Sequence, residues 1–221
     1  MAPKPQSPAR LIALDGSRGT DITKSAERLA AELRERGITC VISRWDASGL
    51  FGELAQNDQR GTASARTLSL VYAADLAFRL RWEISAALKD GAVVIAAPYV
   101  ETAIAFGIGR GLPEQWLREL LRFAPAPDVQ ALACERKLER GWKPRLDRSY
   151  PEYCAALLAP SASRRLPKKL RADVIATLRR ARGRRVYQLE GKGLAQAVKV
   201  VTGNQPASSS QPSSRPRTAR K

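Results

Sequence analysis

The sequence predicts a three-layer α/β/α sandwich around a five-stranded parallel sheet, on three observations. Short apolar runs such as RLIAL (Arg10–Leu14) and AVVIAA (Ala92–Ala97) recur along the chain, and AVVIAA is apolar on both faces, as in a strand covered on both sides. Longer stretches with apolar residues at helical spacing separate these runs. Strands alternating with helices imply βαβ units, right-handed crossovers and helices on both faces of the sheet.

Taken in order, Arg10–Leu14 is the first strand and runs directly into a glycine-containing loop. Lys24–Arg36 follows, with Ala26, Leu29, Ala30 and Leu33 at helical spacing, and Gly37 ends it. Thr39–Ser43 is the second strand. A long helical stretch runs from about Ser64 to Lys89 and stops at Asp90-Gly91. Ala92–Ala97 is the third strand, followed by helical patterns near Val100–Ile108 and Pro113–Phe123. Val129–Cys134 and Arg185–Glu190 are the fourth and fifth strands, and Leu194–Val201 is the last helix.

The length of 221 residues fits one domain with tails. Residues 1–9 are a Pro-containing flexible lead, 10–203 the folded domain, and 204–221 a Ser/Pro/Arg-rich tail expected to be disordered, because it has too little apolar surface to offset ordering entropy. The chain has no His, which removes Ser-His-Asp triads, Cys-His pairs and imidazole metal sites. Cys40, Cys134 and Cys154 are far apart without CxxC spacing, so neither a zinc site nor a disulfide framework is expected. No apolar run is long enough to span a membrane and no signal-peptide segment is present, so a soluble, cytoplasmic protein is expected.

The net charge is +17. Setting aside Lys4, Arg10, Arg215, Arg217, Arg220 and Lys221 leaves +11 over Leu11–Gly203, a balance that favours anionic partners. Ten of the positive residues lie between Arg164 and Arg185, opposed only by Asp173. Leu166, Leu170, Val174, Ile175 and Leu178 recur there at helical spacing, as in an amphipathic helix with a basic face. One reading is a salt-sensitive contact with nucleic acid or an acidic partner; the other is a solubilising face.

In a parallel sheet, ligands gather at the carboxyl ends of the strands. A phosphate-binding loop G-x-x-x-x-G-K-[ST], laid on Gly16–Thr23, finds its first Gly and closing Thr in place but Asp21 for the second Gly and Ile22 for the Lys. Ile22 removes the mobile cation over the outer phosphates. Asp21 puts a carboxylate in the approach path, where like charges ~4 Å apart repel by roughly 4 kcal/mol at an effective dielectric near 20. By itself, the segment reads as a strand-to-helix turn with Thr20 or Asp21 as a cap.

The wider order of features resembles the thymidylate kinase family of P-loop nucleoside monophosphate kinases. Leu11–Trp45 is similar to the family's opening strand, phosphate loop, first helix and second strand; Leu68–Ala133 to its long helix, third strand, substrate loop and fourth strand; Glu135–Arg148 to the start of its lid. The resemblance implies a P-loop kinase-like fold, transfer of the ATP γ-phosphoryl to dTMP with Mg²⁺, and a homodimer. It implies nucleotide contacts from Gly16, Ser17, Gly19, Thr20 and Thr23, with Thr23 also the metal ligand, and substrate contacts from Arg44, Phe78 and Tyr99. Arg18 and Arg148 are the candidate catalytic cations, with Arg140 and Arg145 as further lid arginines. Each has a plainer alternative: Thr23 as a helix N-terminal residue, Phe78 and Tyr99 as core aromatics, the lid arginines as a solvated face.

The departures from the family pattern fall on charged residues, the groups that phosphoryl transfer relies on. Its Asp-Arg-Tyr is Ala97-Pro98-Tyr99 here, its Ala-Ala-Asp-Arg is Ala73-Ala74-Asp75-Leu76, and its Arg-Glu-Pro-type loop is Arg44-Trp45-Asp46. A degenerate motif set on an intact hydrophobic pattern leads to a first expectation: a weak or inactive phosphotransferase, a pseudokinase with a residual nucleotide-binding or interaction role. The alternatives are an active nucleoside monophosphate kinase with compensating arginines, using ATP and Mg²⁺, and a basic module that binds nucleic acid or an acidic protein.

Overall fold

The computed structural model describes residues 10–51, 53, 63–133, 176–177 and 186–203. Five strands are formed among them: β1 (Arg10–Asp15), β2 (Cys40–Arg44), β3 (Val93–Ala97), β4 (Val129–Leu132) and β5 (Val186–Gln188). All pair in parallel, in the order β2-β3-β1-β4-β5, so β1 is central and Ile12 lies between Ile95 and Val129. The helices are α1 (Gly19–Glu35), α2 (Ala65–Arg79), α3 (Ser85–Lys89), α4 (Val100–Gly109), α5 (Glu114–Leu120) and α6 (Lys192–Thr202), with a π-helical turn Leu80–Ile84 joining α2 to α3.

The alternation of side chains along a strand divides the core in two. Leu11 and Ala13 face one cluster with Val94 and Ala96, covered by Leu68, Tyr72 and Leu76 of α2 and by Ile104 and Phe106 of α4. Ile12 and Leu14 face the other with Val93, Ile95 and Ala131, covered by Ile22, Leu29 and Leu33 of α1 and by Leu194 and Val198 of α6. Helices therefore cover both faces, as the apolar character of β3 requires.

Local chemistry sets the helix ends. The Ser64 hydroxyl accepts from the Thr67 amide at the start of α2. Gly37, at φ 73°, ends α1: its amide donates to Arg34 O and the next amide, of Ile38, to Leu33 O. The last helix begins at Lys192, two residues before the expected Leu194. The expectation that helix 1 starts at Lys24 is corrected more substantially. It starts at Gly19, so only Gly16–Arg18 connect β1 to α1, and the Ile22 amide already donates to Arg18 O at 3.1 Å. The final strand is only three residues long, although the apolar run suggested six.

The lead 1–9, the tail 204–221 and nearly all of the basic segment 164–185 lie outside the described residues, as do Arg140, Arg145 and Arg148.

Candidate functional site

β1 leads into α1 on one face of the sheet, while β3 leads into α4 on the other. The chain thus diverges between the carboxyl ends of two adjacent strands, the crevice where ligands of open α/β sheets bind.

Hydrogen bonds tie the two strand ends together across this crevice. Asp15, the last residue of β1, is buried, and its Oδ1 accepts from the Tyr99 amide at 3.0 Å, the Thr102 amide at 3.0 Å and the Thr102 hydroxyl at 2.7 Å. The Gly16 amide donates to Thr102 Oγ1 at 3.1 Å. Burial lifts the Asp15 carboxyl above the ordinary carboxylate range, although the bonds from Thr102 and Tyr99 and the charge of Arg79 oppose the shift.

Ile22, at the expected lysine position, is 2% exposed and belongs to the α1-side core. A Cβ added to Gly16 would lie 2.8 Å from Ile22 Cγ1 and 3.0 Å from Ala133 Cβ. The isoleucine side chain thus occupies the floor beneath the loop. Asp21 and Arg18 form a buried ion pair through Arg18 Nε, their side chains 8% and 7% exposed. Asp21 sits in the first turn of α1, where the helix dipole favours negative charge, so the protein's own carboxylate stands at this helix end with a guanidinium against it. Gly19 and Ser17 are buried, while Thr20 and Thr23 are half-buried on the first turns of the helix.

The expected substrate-contact residues occupy different environments. Arg44 pairs at the surface with Glu27, Nη2 to Oε1 at 2.8 Å. Phe78 is 39% exposed on α2, so the core-aromatic alternative for it is corrected: its helix turns that position outward. Tyr99 is buried, its hydroxyl donates to Pro125 O at 2.8 Å, and burial pushes its phenol up. Tyr99 is therefore a core aromatic, while Phe78 is partly exposed on α2.

Two buried groups were missed. Arg79 is fully buried: Nε donates to Ser43 Oγ at 2.9 Å, Nη2 to Ser43 O at 2.8 Å and Nη1 to Pro98 O at 3.0 Å, across a cis Ala97–Pro98 bond at the end of β3. Ser43 Oγ donates onward to Glu83 Oε2 at 2.6 Å. Asp75, also fully buried, accepts from the Asp46 and Ser48 amides at 3.1 and 3.0 Å and from the Ser48 hydroxyl at 2.9 Å, holding the segment after β2 against α2. A signal existed for Arg79: Leu68, Tyr72, Leu76 and Arg79 fall on one helical stripe, so periodicity marks its position as inward. Trp45 and Phe51 fill the space beside this stripe, their rings meeting edge to face at 4.2 Å between centroids.

A five-stranded parallel sheet in this order, with a short glycine loop between β1 and α1, defines the chain as an α/β protein of the P-loop kinase kind. The thymidylate kinase family model matches residues 14–150, and the chain belongs to that family. It is 34% identical over 127 residues to the thymidylate kinase of Thermomicrobium roseum, a match covering 55% of this chain and 60% of that one. It is 30% identical over 128 residues to a probable thymidylate kinase of Pyrococcus abyssi, covering 55% and 62%. It is 35% identical over 127 residues to a thymidylate kinase of Xanthomonas oryzae pv. oryzae, covering 55% and 54%. The chain thus spans less than two thirds of the length of these curated relatives. No helix among the described residues is long and apolar enough to cross a membrane.

Proposed function

We propose that this member of the thymidylate kinase family has lost efficient phosphoryl transfer and keeps the fold as a pseudokinase, with a weak nucleotide-binding or interaction role. The observation that carries the reading is the burial of Ile22 at the lysine position, against the floor of Gly16. Phosphate loops work by aiming free backbone amides and a mobile lysine at the phosphate oxygens. Here α1 begins at Gly19, the Ile22 amide serves the helix, and Asp21 takes the place of an incoming anion.

The donor set fits ATP–Mg²⁺ poorly. Thr23 offers a hydroxyl, but Ala97 stands where the resemblance places an acidic residue, and among the described residues no group of three or more Cys, Asp or Glu could hold a metal ion. The compensating arginines of an active kinase find no support in Arg18 or Arg44, since each already faces a carboxylate. ATP and dTMP turnover at micromolar protein tests the proposal: no product above background is expected, and catalytic turnover contradicts it.

A second reading is favoured by the placement of charge. Residues 10–133 hold 15 Lys+Arg and 15 Asp+Glu, whereas residues 134–185 hold 16 against 5. Residues 10–133 are neutral overall and the excess charge is concentrated from residue 134 onward, as suits an electrostatic contact with nucleic acid. Binding to duplex DNA should weaken steeply with added salt; a flat salt dependence contradicts this reading.

A further inference from the structure

A cavity of about 350 Å³ opens on the α4–α5 face, beside the crevice but separate from the loop Gly16–Arg18. Two carboxylates line it, Asp15 from β1 and Glu101 from the first turn of α4, together with the Gln130 side chain. Its walls include Tyr99, Leu121 and Pro125.

The hydrogen bonding of the two acids is lopsided. All three bonds to Asp15 end on Oδ1, and none reaches Oδ2. Asp15 is only 5% exposed, so this second oxygen is withdrawn from bulk water apart from the cavity. Glu101 Oε2 is buried with no hydrogen-bond partner. Arg118 reaches Glu101 Oε1 at only 3.4 Å, while it grips Glu114 Oε1 at 2.7 and 2.8 Å. A buried carboxylate oxygen without a donor is costly, as Glu101 Oε2 is, and a second acid lining the same cavity favours a cation that presents several donors at once.

We propose that this cavity binds a guanidinium group on a short apolar stem, with Glu101 and Asp15 as its anionic contacts. A guanidinium presents five N–H donors in a flat fork, and is shed of water more readily than an ammonium. Gln130 supplies a further acceptor, and the walls of Tyr99, Leu121 and Pro125 suit the stem. The volume lies at the small end of ligand pockets, matching a fragment of this size. The inference rests on the cavity alone and stands whether or not the phosphate loop is functional.

The test is calorimetric titration of the full chain, in about 0.15 M salt to screen loose ion pairing. The probes are n-butylguanidinium, its uncharged analogue N-butylurea, and the peptide acetyl-Gly-Arg-Gly-amide. Saturable one-to-one binding of a guanidinium probe is expected, with no binding of N-butylurea and at least tenfold weaker binding to Glu101→Gln, a variant whose fold is checked by circular dichroism. Tighter binding of the peptide assigns the site to an arginine of a partner protein; tighter binding of n-butylguanidinium assigns it to a free small molecule. Absence of saturable binding by either, equal binding of the urea, or unchanged affinity in Glu101→Gln overturns the proposal.

Discussion

The Cγ1 atom of Ile22 lies 2.8 Å from where a Cβ on Gly16 would stand. The residue at the lysine position and the first glycine of the loop are therefore partners in packing. The glycine is required because Ile22 and Ala133 fill the space beside it, and the isoleucine is buried because the glycine leaves it room.

Gly16→Ala should destabilise the fold by about 1–3 kcal/mol, the usual range for an overpacked site. In an Ile22→Ala background the added effect should be smaller, since neighbouring substitutions couple. The contact with Ala133 Cβ at 3.0 Å keeps it above zero. Urea unfolding of the four proteins measures the coupling.

Asp21→Ala removes the carboxylate beside the buried Arg18 guanidinium, so it should cost about 3–5 kcal/mol. The double variant Arg18→Met/Asp21→Leu should lose less than Asp21→Ala alone, because it removes both charges. Denaturation midpoints of the two variants, at unchanged slope, provide the comparison.

Arg79→Met should cost about 3–5 kcal/mol, comparable to breaking a buried charged network. It removes the donors that Arg79 gives to Pro98 O, Ser43 O and Ser43 Oγ. Arg79→Lys should recover only part of this, because an ammonium lacks the planar fork that serves three acceptors, two on Ser43 of β2 and one on Pro98 just after β3. Thermal unfolding of both variants checks the order.

Stability should also depend on pH in an unusual direction at the cavity. Burial raises both Asp15 and Glu101 above their ordinary values of 3.8 and 4.5; for Glu101 the charge of Asp15 adds to the shift, while Arg118 opposes it. The folded protein therefore holds these protons to higher pH than the unfolded chain. Their contribution is fully present below about pH 4 and is lost as pH rises through the raised values. Glu101→Gln removes its share of that loss. Its melting temperature relative to the parent protein should rise between about pH 4 and pH 7; a constant difference would contradict the account.

Much of the fold was legible because burial on both faces writes itself into composition. Ala92–Ala97 admits no solvated face, and Gly37 terminates α1 as a left-handed residue. The site was harder to read, for physical reasons. Laying a loop motif on Gly16–Thr23 treats Thr20–Ile22 as loop, yet the Arg18–Asp21 pair and the helix hydrogen bond from Ile22 begin α1 at Gly19. Phe78 looks like core by residue type, but the inward stripe of α2 runs through Tyr72, Leu76 and Arg79. Arginine at an inward position contradicts the usual exposure of its type, and only the acceptors on Ser43 and Pro98 explain it. Those acceptors lie 36 and 19 residues away in the chain, beyond the reach of local pattern.

On the proposed reading, the segment Gly16–Thr23 is packed structure and no longer a triphosphate cradle. The most direct measurement is the affinity of a non-hydrolysable ATP analogue for the full chain, with and without Mg²⁺. The account predicts a dissociation constant weaker than about 1 mM that Mg²⁺ does not improve. Micromolar binding that strengthens with Mg²⁺ and is lost in Thr23→Ala would contradict it.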